Sequence, residues 1–460
     1  MPIKPTVSTL NANTVGILNT IRANASADYI DAVPVAEATT ESIRAVGNAI
    51  LSYQPRMNEF VSALVNRIGL VMITSKLYSN PLKFMKKGLL QYGESIEEIF
   101  VDLAKANAYD WNTATDEAKL AFQRKNPDIK TAFHALNLQT YYQVTVSKQN
   151  LEQAFLSVNG VTDLITRIVN SLYSAANYDE FIMIKYTIAQ NLLAGNIAMR
   201  AINEPIDEAT GKKAVKAIKS VSNKFGFMSK EFNIAGVSNY VADNADKFVV
   251  MTSDFETNIG VDVLAAAFNI DKVQFEGKRV LVDSFAFNSG ELDRLDMLLS
   301  NDPGYTRLSD DDNDALKTVG AVLMGRDYPQ VYDVRNEFTE EFNGALLYYN
   351  EFYHVWRVYS ASPFTSVCGF TTGDLTVTNV TVSAPSTAKK NERVQAVATV
   401  KASPFVNQGV TFSISPTANV TLNPETGIIV FGASASGAFT VTATSVFDST
   451  KKGTAQITVS

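Results

Sequence analysis

The sequence predicts an α+β protein followed by a separate all-β segment at its C-terminal end. Residues 161–194 place apolar side chains at three- and four-residue steps, which is typical of an amphipathic helix. Residues 136–147 alternate apolar and polar side chains, as a half-buried strand does. After Gly373-Asp374 the chain is dominated by Thr, Ser, Val, Ala and Gly. Short alternating runs with this composition are typical of a β sandwich.

Length and composition limit the class of protein. A chain of 460 residues exceeds the size of one hydrophobic core, so we expect two or three domains. The 46% hydrophobic content predicts a packed interior rather than disorder. A net charge of −7 argues against tight wrapping of nucleic acid. The N-terminus lacks the apolar core of a signal peptide, and no stretch is apolar enough for a membrane span. We therefore expect a cytoplasmic product.

The helix predicted over 161–194 is unusually long. If it is unbroken, it measures about 50 Å at 1.5 Å per residue. Thr162-Asp163 can cap its start and Gly195 can end it. Two helices broken near Asn177 are the alternative that the pattern leaves open.

The strand over 136–147 predicts a long hairpin. Its apolar face carries Leu138, Tyr142, Val144 and Val146. Residues 96–103 are the partner strand that we expect, and the charged stretch between the two strands, which contains Asp116-Glu117 and Arg124-Lys125, predicts a solvated tip. A two-stranded hairpin is only marginally stable in water, so its apolar face needs a surface to pack on. That surface is either a helix of the same chain or another molecule.

Few residues are candidates for chemistry. The only histidines, His134 and His354, stand among aromatic and β-branched neighbours, which favours packing over catalysis. The single cysteine, Cys368, excludes an intramolecular disulfide, and its apolar neighbours predict burial. Gly211-Lys212-Lys213 lacks the spacing of a phosphate loop and predicts a turn followed by a basic helix.

The run Asp310-Asp311-Asp312-Asn313-Asp314 has carboxylates at alternate positions. Ala315 and Ala321 stand where a calcium loop requires Gly and Glu. An acidic helix N-terminus, stabilised by the helix dipole, is the better interpretation, and a weak calcium site is the alternative. The sequence therefore predicts no catalytic, cofactor-binding or metal site.

Ordered motifs from about residue 60 to 370 resemble one family, the phi-29-like podovirus major head proteins. They include Asn80-Pro81-Leu82-Lys83, Ile96-Glu97-Glu98-Ile99, Phe133-His134, Val261-Asp262-Val263-Leu264-Ala265 and Tyr353-His354-Val355-Trp356. Residues 288–319 have no clear counterpart in that family.

The C-terminal segment resembles a different family, the bacterial immunoglobulin-like group 2 (BIG2) domains. The resemblance lies in Asn379-Val380-Thr381-Val382-Ser383, Gly409-Val410-Thr411-Phe412 and Ile457-Thr458-Val459-Ser460. Phe412 stands where that family usually has Trp.

The resemblance to head proteins implies the Hong Kong 97 capsid fold. It divides the chain into an N-terminal arm and entry to the shell domain (1–79), an extended loop (80–150), and peripheral and axial domains containing the spine helix (151–374). An immunoglobulin-like domain follows (375–460). The extended loop is expected to reach over a neighbouring copy of the chain. The expected contact residues are Ile96, Ile99, Val101, Leu138, Tyr142, Val144 and Val146.

The function implied is that of a major capsid protein without enzymatic activity. Such a protein self-assembles through pentameric and hexameric capsomers into an icosahedral or prolate head around double-stranded DNA, in a small tailed bacteriophage. Expected partners are other copies, a scaffolding protein, the portal or connector, and non-specifically bound DNA on the inner face, with no membrane. The protein would be made in the host bacterial cytoplasm and end in the virion. A bacterial nanocompartment shell and a secreted surface-layer protein or adhesin are the alternatives.

Overall fold

The computed structural model describes residues 7–71, 78–90, 95–104, 106, 127–156, 160–260 and 278–460. The chain forms two compact units, each built from separate stretches of sequence. Unit 1 comprises Met1–Ser95, Ala135–Met183 and Val331–Tyr359. Unit 2 comprises Ile96–His134, Ile184–Gln330 and Ser360–Ser460.

The helices in the described residues are α1 (Val7–Ala23), α2 (Ala27–Ala32), α3 (Thr40–Leu51), α4 (Gln54–Val71), α5 (Lys148–Ala154), α6 (Gly160–Leu193), α7 (Glu208–Phe225), α8 (Ser253–Gly260), α9 (Ser289–Leu298) and α10 (Asp310–Lys317). The strands before the C-terminal segment are β1 (Lys86–Leu89), β2 (Ile96–Val101), β3 (Ile129–His134), β4 (Leu138–Ser147), β5 (Ala198–Ala201), β6 (Lys247–Thr252), β7 (Lys278–Val282), β8 (Val319–Gly325), β9 (Pro329–Asn343), β10 (Tyr348–Ala361) and β11 (Val367–Thr371).

Unit 1 combines helices with a four-stranded sheet of order β1-β9-β10-β4. Strand β4 is antiparallel to β10, from Ser147 opposite Tyr348 to Leu138 opposite Arg357. One face of the sheet carries buried Val146, Tyr349, Tyr353 and Val355, which share a core with α1 to α6. The buried helical residues in that core include Ile43, Ile50, Phe60, Leu64 and Leu172.

Unit 2 contains a five-stranded sheet of order β5-β11-β8-β6-β7. Every residue of β6, β8 and β11 is buried, because both faces of this sheet are covered. Helix α7 begins at the N-cap Asp207 and contributes Val215, Ile218 and Phe225 to the core. Strands β6 and β7 are parallel, from Phe248 opposite Lys278 to Thr252 opposite Val282.

The long helix is confirmed as one element. Helix α6 has 34 residues, about 51 Å at 1.5 Å per residue, and no break at Asn177. It begins two residues before the predicted cap. Gly195 has φ 68° just after the helix, the left-handed geometry that ends a helix at glycine with little strain.

The predicted pairing of residues 96–103 with 136–147 is wrong. Strand β2 instead pairs with β3, from Ile96 opposite His134 to Val101 opposite Ile129, and β4 pairs with β10. Alternation fixes which residues of a strand share a face, but it does not identify the neighbouring strand. The predicted tip, with Asp116-Glu117 and Arg124-Lys125, lies outside the described residues, as does the 261–265 motif.

The C-terminal segment is rich in strands, as its composition predicts. Its strands are β12 (Val377–Ser383), β13 (Thr387–Ala388), β14 (Arg393–Gln395), β15 (Val397–Ala402), β16 (Val410–Ser415), β17 (Val420–Leu422), β18 (Ile428–Phe431), β19 (Gly437–Ser445) and β20 (Lys452–Val459). They form sheets of order β12-β15, β13-β20-β19-β16 and β14-β18-β17. A core of its own, including Phe412, Phe431, Phe439 and Ile457, lies within the segment.

Candidate functional site

The exposed side of the hairpin β2–β3 is mostly apolar, with Glu97 and Thr131 as its polar members. Side chains Ile99, Val101, Ile129 and Phe133 point the same way and are 58, 54, 53 and 66% exposed. We call these four residues the hairpin face. Contiguous apolar side chains on a surface are typical of sites that contact another molecule.

The opposite side of the hairpin is bound to its own unit. Glu98 accepts a hydrogen bond from the Ser362 hydroxyl at 2.7 Å and lies 3.2 Å from Nε2 of His134. Nδ1 of His134 lies 2.8 Å from the Ser360 hydroxyl. Because His134 is only 2% exposed, these bonds stabilise the base of the hairpin in a site from which water is largely excluded.

Two further contacts fix the hairpin. The rings of Phe100 and Phe364 stack with centroids 5.7 Å apart, and the Lys130 ammonium donates to the carbonyl of Ala235 at 2.7 Å. Ile96 lies on the same inward side as Phe100 and is half-buried. The hairpin is thus held by one side, while the hairpin face on its other side is exposed.

Ser360, His134 and Glu98 are the residue types of a nucleophilic triad. In such a triad Nε2 of the histidine meets the hydroxyl and Nδ1 meets the carboxylate, but here the two nitrogens have the opposite partners. Glu98 is also shared with Ser362. These hydrogen bonds therefore hold the hairpin in place and do not form a catalytic triad.

The remaining predicted contact residues lie on β4 and pack inside unit 1. Leu138 and Val146 are 5 and 4% exposed, and Tyr142 and Val144 pack against the unit 1 core. The Tyr142 hydroxyl donates to Asp179 at 2.9 Å. The contact of these four residues with another copy stays a prediction. The single chain already covers Leu138 and Val146.

A buried charge cluster lies in unit 1 and was not found from the sequence. Glu180, 1% exposed, forms ion pairs with Lys86 at 2.9 Å and Arg357 at 3.0 Å. Asp333 lies 2.8 Å from both cations, and Asn80 donates to Glu180 at 2.9 Å. Burial opposes ionisation, but Arg357 and Lys86 outweigh it and lower the pKa of Asp333.

The other candidates for chemistry have structural surroundings. Cys368 is fully buried in β11, and burial raises the pKa of its thiol to about 12, so the thiol is not a nucleophile near neutral pH. His354 has Nε2 2.9 Å from the Thr339 hydroxyl and lies beside Tyr141 and Phe352. Both findings agree with the packing roles that the sequence predicts.

One local prediction fails and another is confirmed. Gly211 lies within α7 rather than in a turn before it, because the Asp207 capping box starts the helix earlier. The acidic run does begin a helix, α10, with Ser309 as its N-cap. Within the described residues, no group of three or more His, Cys, Asp or Glu side chains could hold a metal ion. In the same part of the chain no helix has the length and apolarity that crossing a membrane requires.

The described residues thus carry an exposed hairpin face on a mixed helix-and-sheet fold. The family model of the Phi29-like phage major capsid protein matches residues 18–371. The chain is 32% identical to the major capsid protein of Bacillus phage B103 over 435 residues, which cover 93% of this chain and 89% of that protein. It is 29% identical to the major capsid protein of Bacillus phage PZA, with the same coverage. The chain belongs to the Phi29-like phage major capsid protein family.

Solved structures of low identity resemble the chain more weakly. A capsid structure of Staphylococcus phage Andhra aligns with a TM-score of 0.49 and 13% identity over 66% of this chain and 87% of that chain. A structure from bacteriophage P68, described as head fiber and inner core protein, gives 0.47 and 15% over 65 and 86%. With TM-scores below 0.5, these similarities add nothing to the assignment, which rests on the family match. The protein is a phage major capsid protein and a component of the virion, and the nanocompartment and adhesin alternatives are not favoured.

Proposed function

We propose that the chain builds the head shell of a small tailed phage around double-stranded DNA through pentameric and hexameric capsomers, using a Hong Kong 97-type fold. The family membership and the long helix α6 support this. The domain division at residues 79, 150 and 374 belongs to the same proposal. So do a scaffolding protein and the portal or connector as partners, non-specific contact with DNA, and synthesis in the host bacterial cytoplasm.

The observation that carries the assembly proposal is the hairpin face. A capsid protein acts in many copies, and the hairpin face offers apolar surface on a hairpin whose other side is already bound to unit 2. We propose a second copy of the chain as its occupant. Covering four side chains that are each about half exposed is worth about 4 kcal/mol before the costs of association. Repeated round a ring, contacts of this size contribute to assembly.

Ile99→Asp combined with Phe133→Asp tests the hairpin face. The double variant should fold, because both side chains are exposed, and should fail to assemble, because two carboxylates would be buried unpaired at the contact. Far-ultraviolet circular dichroism measures folding and sedimentation velocity measures assembly.

The matched control is Ile206→Asp with Met297→Asp, two residues of unit 2 that are 78 and 69% exposed. The control should assemble as the wild type does. Normal assembly of the hairpin variant would contradict the proposal, and so would equal loss of assembly in the control.

We further propose that residues 375–460 form a BIG2-type immunoglobulin-like domain on the outer face of the shell. The order and composition of the strands support this, as does the core that lies within the segment. We also propose that the protein catalyses no reaction. Cys368 is buried with a raised pKa, and both histidines have structural partners.

A further inference from the structure

Two glutamates, Glu340 on β9 and Glu351 on β10, lie side by side in the ribbon formed by these adjacent strands. Each is two residues from aromatic side chains that contact each other across the ribbon. These aromatic pairs are Phe338 with Tyr353, 4.5 Å between centroids, and Phe342 with Tyr349, 4.8 Å. The two carboxyl groups therefore lie on one face of the ribbon, between two aromatic pairs, where strand neighbours are in direct contact.

The carboxyl groups are removed from water without full compensation. Glu351 is 2% exposed. In the described residues, the Oε2 atoms of Glu351 and Glu340 are both buried and have no hydrogen-bond partner. The Ser62 hydroxyl on α4 lowers the pKa of Glu340, but burial raises it more. Neither glutamate forms an ion pair with a described residue, so like charges here would be unusually costly.

Among the described side chains, those of α4, β4 and β10 that lie near the pair supply no cation. Helix α4 presents neutral groups: Gln54 donates to the Tyr349 hydroxyl at 3.0 Å, and that hydroxyl bonds to Asn58. The two described charged side chains of the same helix have other partners, Arg56 with Asp28 and Glu59 with Ser26. From β4, Val144 is opposite Glu351. On β10, burial raises the pKa of Tyr349 and of Tyr353 to about 12, so both phenols are neutral.

This geometry raises the pKa of both carboxyl groups. Burial, together with the charge of Glu340, raises the pKa of Glu351 to about 8. Burial raises the pKa of Glu340 as well. Two carboxyl groups that interact this strongly titrate as a pair, and the first ionisation suppresses the second.

We propose that Glu340 and Glu351 share a proton in the folded subunit, and that loss of this proton above neutral pH loosens α4 from the β9–β10 ribbon. Deprotonation would place two carboxylates against each other and against Ser62, without a cation to balance them. The contacts that α4 makes with the ribbon include the bonds of Tyr349 with Gln54 and Asn58, so separation would begin there. The pair would make the packing of α4 on the β9–β10 ribbon sensitive to pH.

The pair should make the folded subunit less stable as the pH rises. The pKa of Glu351 is about 8 in the folded chain and 4.5 for an ordinary glutamate, so the folded state holds the extra proton between these values. Stability from this pair is therefore complete below the lower value and is lost as the pH rises through the higher one. One linked proton raises the unfolding equilibrium constant about 100-fold between pH 6 and pH 9.

Urea unfolding of the unassembled full-length subunit at pH 6 and pH 9 tests the proposal. Glu351→Gln should remove most of the 100-fold change, because glutamine keeps the shape and cannot ionise. Glu340→Gln is a second, independent variant for the same test. The matched control, Glu341→Gln, changes the exposed neighbour on β9 and should leave the wild-type pH dependence intact.

Hydrogen exchange of residues 54–64, corrected for the intrinsic effect of pH, measures the helix itself. The wild type should lose protection there at pH 9, and Glu351→Gln should keep it. Wild-type pH dependence in both glutamine variants, or unchanged protection of α4 at pH 9, would overturn the proposal. Because single subunits are measured, the result does not depend on whether the chain forms shells.

Discussion

The buried charge cluster of unit 1 allows a prediction whose size follows from the structure. Arg357→Met removes a guanidinium that is 4% exposed and that pairs with Glu180 and Asp333 at 3.0 and 2.8 Å. Methionine fills similar volume, so the main effect is the loss of charge rather than a cavity. Removing one partner of a buried ion pair costs about 3–5 kcal/mol, because the other charge is left uncompensated.

Lys86, the cation that remains, determines where the loss of stability falls between about 3 and 5 kcal/mol. Lys86 still lies 2.9 Å from Glu180 and 2.8 Å from Asp333, and one ammonium must then balance two carboxylates. We therefore expect the lower end, about 3 kcal/mol. Urea unfolding followed by circular dichroism measures the loss as a lower midpoint.

Two comparisons make the result specific. Arg326→Ala removes an exposed cation with a 3.7 Å contact to Asp246, and exposed pairs of this kind are worth at most about 1 kcal/mol. Adding Glu180→Gln to Arg357→Met should restore part of the stability, because one uncompensated charge disappears. A loss no larger than that of Arg326→Ala, or the absence of any recovery in the double variant, would refute the reasoning.

Two other expectations concern the C-terminal segment and β4. Deleting residues 376–460 should leave a shell domain that still assembles, because the segment has its own core. Thermal stability should fall, because backbone near Val406 packs closely on Gly195. Electron microscopy measures assembly and thermal melting measures stability, and an insoluble product would contradict the expectation. Tyr142→Asp with Val144→Asp should unfold unit 1 rather than only block assembly, because both side chains pack on its core; a folded monomer by circular dichroism would show that they are dispensable for folding.

The sequence predicts elements better than it predicts their neighbours. Helix α6 and the face of β4 follow from spacing alone, because periodicity records which side of an element is buried. The partner of β4 does not follow, because any strand with matching alternation satisfies the same pattern. Ile129, Thr131 and Phe133 do alternate with smaller or polar residues, and that signal could have identified β3.

The charged sites could not be predicted from the sequence, for a related reason. Lys86, Glu180 and Arg357 are far apart in sequence, and each reads alone as an ordinary surface charge. Glu340 stands among other acidic residues on β9, while Glu351 lies on β10, and only the pairing of β9 with β10 shows that they are buried together. The register between distant strands determines which of these charged residues meet. Amino-acid composition does not reveal that register.

We propose above all that the hairpin face joins copies of this chain in a shell. High-resolution electron microscopy of particles formed when the protein is expressed with its neighbouring phage genes tests it most directly. We predict closed shells in which Ile99 and Phe133 are covered by a neighbouring copy. Shells in which these side chains remain exposed to solvent, or the absence of closed shells, would contradict the account.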